Sequence, residues 1–438
     1  MAEVAAAAWA VEEAITTTVQ VGVGAYMVSK PTMPLHATFT QIATSSDDET
    51  KLSLCRSGHS LTVVGNKAYI FGGQTAANKL ASTDVHAITL TSDKSSPDYS
   101  VIPAIADTGS THIPSPRQKH AACSFNICVA VFGGVDESGE VIDEQHIWLF
   151  NTAKPAWETL QPKDTSAPAP SSRNEAQLFN HQNNLVLFGG RSKTGETLKD
   201  VWLFNYVHSS WSQLADAPVF SSSAAVINGM LHVIANGDKM GSDLLLLELP
   251  PKDKPLAEVE QKSWHTVPFP TNPLTPGPQP RVGAGLIPVS TGHGRNYLLY
   301  LFGAHPPPSN TDTTKEAIPS GGEQLYHSDI WTYQLPSTAH SAKLTTTISE
   351  AIKPAKIKDS IRSALGYDTG GHSWAETEVL LPPADLDAPQ GGSSGKVHPG
   401  PRGFFGCDVM EDGKGIVVWG GINAKGEREG DGWVIGLS

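Results

Sequence analysis

The chain has 438 residues, with 41 glycines, 32 prolines and only 17% charged residues, a composition that suits many short strands joined by turns. A formal net charge of −13 disfavours nucleic acid and anionic membrane surfaces as partners. Four cysteines (Cys55, Cys123, Cys128 and Cys407) are too few and scattered for a disulfide framework and form no CxxC pair, so reduced thiols and a cytoplasmic or nuclear setting are expected.

Residues 5 to 28 are rich in alanine and valine, but Met1-Ala2-Glu3 provides no basic leader and Glu12-Glu13 interrupts the apolar stretch. From Ala14 to Val28 there are fifteen residues, including Thr16-Thr17-Thr18 and Gln20, too short and polar for a membrane span. Ala5 to about Val19 is predicted as a helix packed on the main body. It belongs to an N-terminal segment, 1–32, ahead of a domain covering 33–438.

Beyond it, six apolar runs end in a Gly-Gly pair or a degraded form of one: Ala68 to Gly73, Val129 to Gly134, Leu185 to Gly190, Leu231 to Gly237, Leu298 to Ala304 and Ile416 to Gly421. In four of them an arginine stands about seventeen residues upstream. A period near 50 residues means one supersecondary unit copied around an axis. Such an array escapes the size limit of a single core, because each unit packs mainly on its neighbours.

Each unit reads as four strands. The first follows the arginine, as in Arg56 to Val64; a turn such as Gly65-Asn66-Lys67 leads to the second, which ends at the glycines. Third strands follow a variable loop: Ile147 to Phe150, Val201 to Phe204 and Ile330 to Tyr333. Fourth strands open on Trp157, Trp211, Trp264 and Trp374. Eight of the ten tryptophans occupy third- or fourth-strand positions, which makes them packing residues between sheets.

Gly-Gly after an apolar strand, a downstream tryptophan and this period together resemble the kelch repeat, from about residue 33 to the C-terminus. The resemblance implies an all-β protein, a kelch β-propeller. Units begin at Arg56, Arg117, Arg173, Phe220 (the arginine position of a decayed unit), Arg281 and Arg402. The last lacks a fourth strand, and Ala37 to Ile42 is expected to supply it, closing a ring of six blades. The double-length gap from Gly303 to Gly420 holds one plausible strand, near Trp374 to Leu381, so six blades are preferred to seven. Insertions are expected in the fifth blade at about 305–322 and 337–372. The second includes an amphipathic helix, Ser349 to Leu365, with Ile357, Ile361 and Leu365 on one face. Pro382 to Pro401 reads as another loop.

Five of the nine arginines (Arg56, Arg117, Arg173, Arg281 and Arg402) share one repeat position and should ring one mouth of the axial channel. Two roles compete for them. They could grip a carboxylate, sulfate or phosphate, as kelch substrate adaptors, which this chain resembles, use arginines to hold acidic peptides. Alternatively, each could pair with loop carbonyls or a neighbouring aspartate and fasten adjacent blades.

His59 and His120, each three residues after an arginine, read as hydrogen-bonded structural histidines. Asp84, Asp200, Asp243, Asp329 and Asp431, with His146 in the remaining unit, precede the third strand and imply turn hydrogen bonding. Glu323, His327 and Asp329 are similar to, but depart from, the Glu-x3-Asp-x3-His iron motif of plant specifier proteins, and no metal or other cofactor is expected. No constellation recommends the copper site of galactose oxidase, and no Ser-His-Asp order, P-loop or dinucleotide fingerprint is present in the sequence. The leading expectation is a monomeric binding or scaffold protein that takes an acidic peptide, a protein or an anionic ligand at the arginine-ringed mouth. The alternative is a specifier-type lyase or isomerase acting on a small molecule.

Overall fold

The computed structural model describes residues 34–43, 54–77, 79–90, 99–109, 111–235, 243–251, 262–268, 277–290, 295–306, 325–335, 373–380 and 396–438. The predicted helices at Ala5 to Val19 and Ser349 to Leu365, and most of 305–322, lie outside these residues. All regular structure among the described residues is β-strand, and among them no helix is long and apolar enough to cross a membrane.

Six antiparallel sheets surround an axis. From the axis outward, blade 1 is Ser60–Val64, Lys67–Phe71, Val85–Thr89 and Tyr99–Ile102. Blade 2 is Ala121–Phe125, Cys128–Phe132, Ile147–Asn151 and Ala156–Leu160. Blade 3 is Gln177–His181, Asn184–Ser192, Thr197–Asn205 and Ser210–Gln213. Blade 4 is Ala224–Ile227, Met230–Ile234, Leu244–Glu248 and His265–Val267. Blade 5 is Gly285–Ser290, Asn296–Leu301, Ile330–Gln334 and Trp374–Glu376. The innermost strands touch in ring order, and the strand of blade 6 returns to that of blade 1.

The hairpins between first and second strands turn on residues that tolerate left-handed backbone. Asn126 has φ 53°, Asn228 φ 53° and Gly229 φ 74°. Between blades the core is aromatic. Trp157, fully buried on the fourth strand of blade 2, lies 5.0 Å from Phe71 of blade 1 and 5.2 Å from Phe150 of its own blade. Trp211 of blade 3 meets Phe132 of blade 2 in the same way. The Trp264 indole donates to Ala215 O at 3.0 Å, tying blade 4 to blade 3. The tryptophans therefore hold neighbouring sheets together, as their repeat positions imply.

Blade 6 comes from both ends of the described chain. Gly406–Val409, Gly415–Trp419 and Gly432–Leu437 are followed outward by His36–Ala43, which pairs antiparallel with the last strand. Residues His36 and Ser438 exchange both backbone hydrogen bonds at 3.0 Å. The expected closure by Ala37 to Ile42 is thus present. The tail of blade 5, Glu378–Val379, then pairs parallel with His36–Ala37, so the start of the borrowed strand is paired on both sides.

Removing residues 1–43 strips Leu35 and Ala37 from the core and uncovers the edge at Val434. The expected loss is about 3 kcal/mol or more of unfolding free energy, with concentration-dependent association. A denaturant titration measures the first and light scattering the second; an added peptide spanning residues 34–45 should restore both.

Candidate functional site

Five of the six second strands end in two residues of left-handed backbone; blade 4, at Ile234 and Ala235, does not. The glycine pairs are Gly72 and Gly73 (φ 64° and 88°), Gly133 and Gly134 (68° and 107°), Gly189 and Gly190 (61° and 101°), and Gly420 and Gly421 (64° and 95°). In blade 5 the same positions fall on Phe302 (52°) and Gly303 (100°), because Gly285 pairs with Leu301 as Ser60 pairs with Phe71. The degraded pair is therefore Phe302-Gly303, one residue earlier than the spelling Gly303-Ala304 suggests. At Gly72 a side chain is excluded: a Cβ would stand 2.5 Å from Arg117 O.

This turn presents a carbonyl to the repeat arginine. Arg56, Arg117, Arg173, Arg281 and Arg402 donate from Nη1 to the carbonyls of Gly72, Gly133, Gly189, Phe302 and Gly420 at 2.9–3.1 Å. In four blades the same guanidinium forks onto a carboxylate. Arg117 takes Glu144, Arg173 takes Asp200, Arg281 takes Asp329 and Arg402 takes Asp431, with closest distances of 3.0, 2.6, 2.8 and 2.7 Å. That carboxylate accepts a third-strand indole as well: Trp148, Trp202, Trp331 and Trp433 donate at 2.7–2.8 Å. The arginine's own carbonyl reaches the preceding blade. It accepts from Gly73 N (Arg117), Gly134 N (Arg173), Gly303 N (Arg402) and Gly421 N (Arg56).

All five arginines stand at one end of the ring, as the repeat position implies, but they lie inside its wall at 0–1% exposure. Of the two roles open to them, the contacts are those of blade fastening. Asp200, Asp329 and Asp431, read from sequence as turn formers, are counter-charges, whereas Asp84 accepts from Ser82 Oγ at 2.9 Å. In blade 2 the carboxylate comes from Glu144, while His146 at the repeat position stands 3.9 Å from it. Blade 1 carries His86 in place of the indole. Arg56 Nη2 approaches His86 Nε2 at 2.9 Å, and because arginine only donates, His86 is neutral with its proton on Nδ1, directed to Tyr99 OH at 2.7 Å. In blade 4, where Phe220 replaces arginine, Ser221 Oγ donates to Ile234 O at 2.6 Å. Across the seam, the Gln177 amide of blade 3 bonds Ser222 O and Ala224 N.

Above the arginines, a chain of backbone hydrogen bonds circles the mouth. Phe404 N donates to Gly283 O, Gly58 N to Phe404 O, Lys119 N to Gly58 O and Glu175 N to Lys119 O, at 2.8–2.9 Å. All five residues have φ between 52° and 63°. Outside this ring, five blades extend into short hairpins that raise a crown. The crown pairs are Ser57 with Gln74, Gln118 with Val135, Arg173–Asn174 with Arg191 and Ser192, Val282 with Ala304, and Arg402–Gly403 with Ile422–Asn423.

The crown carries charges that the repeat pattern does not mark. Lys119 Nζ and Arg191 Nε share the Glu175 carboxylate at 3.1 and 2.9 Å, and Arg191 lies 5.3 Å over the Phe220 ring. His120 Nε2 meets Ser60 Oγ at 2.8 Å, as a structural histidine should, whereas His59 packs its ring against Gly406 and Gly420. His327 stacks on His305 at 4.2 Å, beside an Asp329 already bound to Arg281 and Trp331. Glu323 lies outside the described residues, among which no group of three or more His, Cys, Asp or Glu could hold a metal.

Burial, the largest cause in each case, pulls His86 and His120 down to about 3 and His327 to about 4. Their stabilising contribution is full above the unfolded value of 6.5 and lost as pH falls toward those folded values. Burial raises Asp408 to about 6, so that group acts oppositely, its protonation stabilising the fold between about 6 and 3.8. The unfolding free energy should fall between pH 6.5 and 4, on the order of 1 kcal/mol per pH unit per histidine. His120→Gln, which keeps a partner for Ser60, should flatten that slope in denaturant titrations at pH 7.5, 6 and 5.

The fastening role yields a separate expectation. Asp200→Ala leaves Arg173 buried without its counter-charge and should cost about 3–5 kcal/mol. The same titration should show Arg173→Met with Asp200→Leu recovering much of the loss.

The "KLHDC2/KLHL20/DRC7 Kelch-repeats domain" family matches residues 58–303, more than half of the chain. A relative from Thlaspi arvense, N-(sulfonatooxy)prop-2-enimidothioate sulfolyase, is 26% identical over 37% of this chain and 44% of its own length. Human Kelch domain-containing protein 3 is 29% identical over 36% of this chain and 40% of its own. The chain thus spans less than half of either relative. The solved structure of YjhT matches with a TM-score of 0.52 and 13% identity, over 87% of this chain and 97% of that one, a likeness of fold alone. With the family match, the repeated glycine turns and the six closed blades, this chain belongs to the kelch-repeat β-propeller family.

Proposed function

We propose that this propeller is a protein-binding scaffold whose partner seats on the crowned end and presents an acidic segment to the mouth. The observation that carries this reading is the charge of the rim. Lys119 and Arg191, with side chains 31% and 39% exposed, flank the single carboxylate Glu175, leaving that arc net positive on a molecule of net charge −13. Arg191 is held over Phe220, so little side-chain freedom is lost when it meets an anion. Ile113, Val219, Leu325 and Val397, exposed on loops at the same end, add apolar contact. The five repeat arginines, Arg56, Arg117, Arg173, Arg281 and Arg402, then act by holding the rim in shape, and the partner meets the cations above them. Membership of the kelch family supports a protein-binding role.

The test is affinity capture of the tagged protein followed by mass spectrometry. A stoichiometric protein partner is expected, captured at least about tenfold less by the double variant Lys119→Glu, Arg191→Glu. Equal capture by both overturns the reading. The similarity to a sulfolyase favours a second one, lyase or isomerase chemistry on an anionic small molecule. A co-purifying metabolite in place of a protein would transfer support to it.

A further inference from the structure

Arg428 lies on the return arm of the crown hairpin of blade 6, bridged to Ile422, at the seam with blade 1. Its Nη2 donates to Gln74 Oε1 of the blade 1 crown at 2.8 Å. Both sequence neighbours are acids, yet each is engaged elsewhere. Glu427 accepts from Asn423 Nδ2 at 3.1 Å, and Glu429 accepts from the same nitrogen at 2.9 Å and from Lys396 Nζ at 3.0 Å. Among the described residues no carboxylate forms an ion pair with Arg428, and its Nε is buried without a hydrogen-bond partner. Burial alone draws this guanidinium below its ordinary value.

Arg117, Arg173, Arg281 and Arg402 are compensated by latch acids and Arg191 by Glu175, while Arg56, which meets neutral His86, is sealed inside the wall at 1% exposure. A partly desolvated cation without a counter-charge is unfavourable in the free protein, and an oxyanion arriving at the terminal nitrogens of the fork would supply one. Gln74 fixes the guanidinium in advance, and its planar fork suits a carboxylate better than an ammonium would. Blade 6 also stands across the ring from blade 3, which carries Arg191.

We infer that Arg428 is a second anion anchor of the mouth, taking the carboxylate of an acidic side chain on the partner while the Lys119–Arg191 arc takes another across the channel. This rests on the binding role proposed above and assigns its specificity to a residue outside the repeat pattern. An acidic segment lying across the mouth meets both anchors, whereas one confined to the Lys119 arc meets one.

The experiment is calorimetric titration of the full chain with a capped tetraglutamate peptide, the matching tetraglutamine peptide and inorganic sulfate. Wild type should prefer the glutamate peptide. Arg428→Gln should weaken that binding about tenfold, as for loss of a charge-assisted hydrogen bond. Arg428→Lys should recover part of it, and Lys154→Gln, on an exposed turn at the other end, should leave it unchanged. Thermal melts check that the variants fold. In wild type, the Arg428 Nε–H resonance should shift as glutamate peptide is added, a readout independent of any substitution. Equal affinity of wild type and Arg428→Gln for the glutamate peptide, indifference between the two peptides, or no binding of the glutamate peptide overturns the inference. Sulfate bound without the peptide also overturns it, by making a free anion the source. If affinity capture still recovers a partner dependent on Lys119 and Arg191, the scaffold reading survives and only the second anchor fails.

Discussion

Everything at the crowned end depends on a buried guanidinium between two left-handed residues and a carboxylate. In isolation each component is unfavourable: a charge removed from water, a strained backbone turn and an acid facing the core. Together they satisfy one another. The turn aims a carbonyl at the arginine, the acid neutralises it through both oxygens, and the indole of the third strand donates to one of those oxygens as well. The arginine's own carbonyl then takes an amide of the preceding blade, so a bond set within one sheet also fixes the angle to the next.

Repetition turns this local arrangement into a ring, and the departures show what the latch must supply. Blade 1 places a neutral histidine, backed by a tyrosine, where four other blades have an indole, and the histidine gives Arg56 an acceptor. Blade 4 has no arginine, and a serine hydroxyl with the Gln177 amide provides weaker, uncharged bonds in its place. The backbone circle around the mouth, from Gly283 through Phe404, Gly58 and Lys119 to Glu175, skips the same blade. Closure at the other weak point, between the chain ends, is made by strand pairing, with the tail of blade 5 paired at the start of the borrowed strand.

Because the repeat arginines are buried and engaged in latches, the charges left at the mouth come from residues that the repeat does not specify. Lys119 and Glu175 project from the backbone circle itself, and Arg191 and Arg428 from crown hairpins of opposite blades. A ring held by buried latches thus carries the side chains of its loops and hairpins at the mouth.

The sequence by itself determined the architecture: six units, their strand order, the tryptophans between sheets and the borrowed strand at Ala37 to Ile42. These follow from local periodicity, since strand patterning, glycine turns and spacing repeat with the unit. It also placed the five arginines at one end, but left open whether they face a ligand or the wall. Only the tertiary structure decided their contacts, because a guanidinium's partner depends on which carboxylate folds beside it. Asp200 stands at the expected position before its third strand, but Glu144 reaches Arg117 from two residues before that position, and in blade 1 His86 takes the place of the indole. Arg428 was invisible for the same reason: its isolation is a property of where Glu427 and Glu429 turn, and no spacing along the chain encodes that.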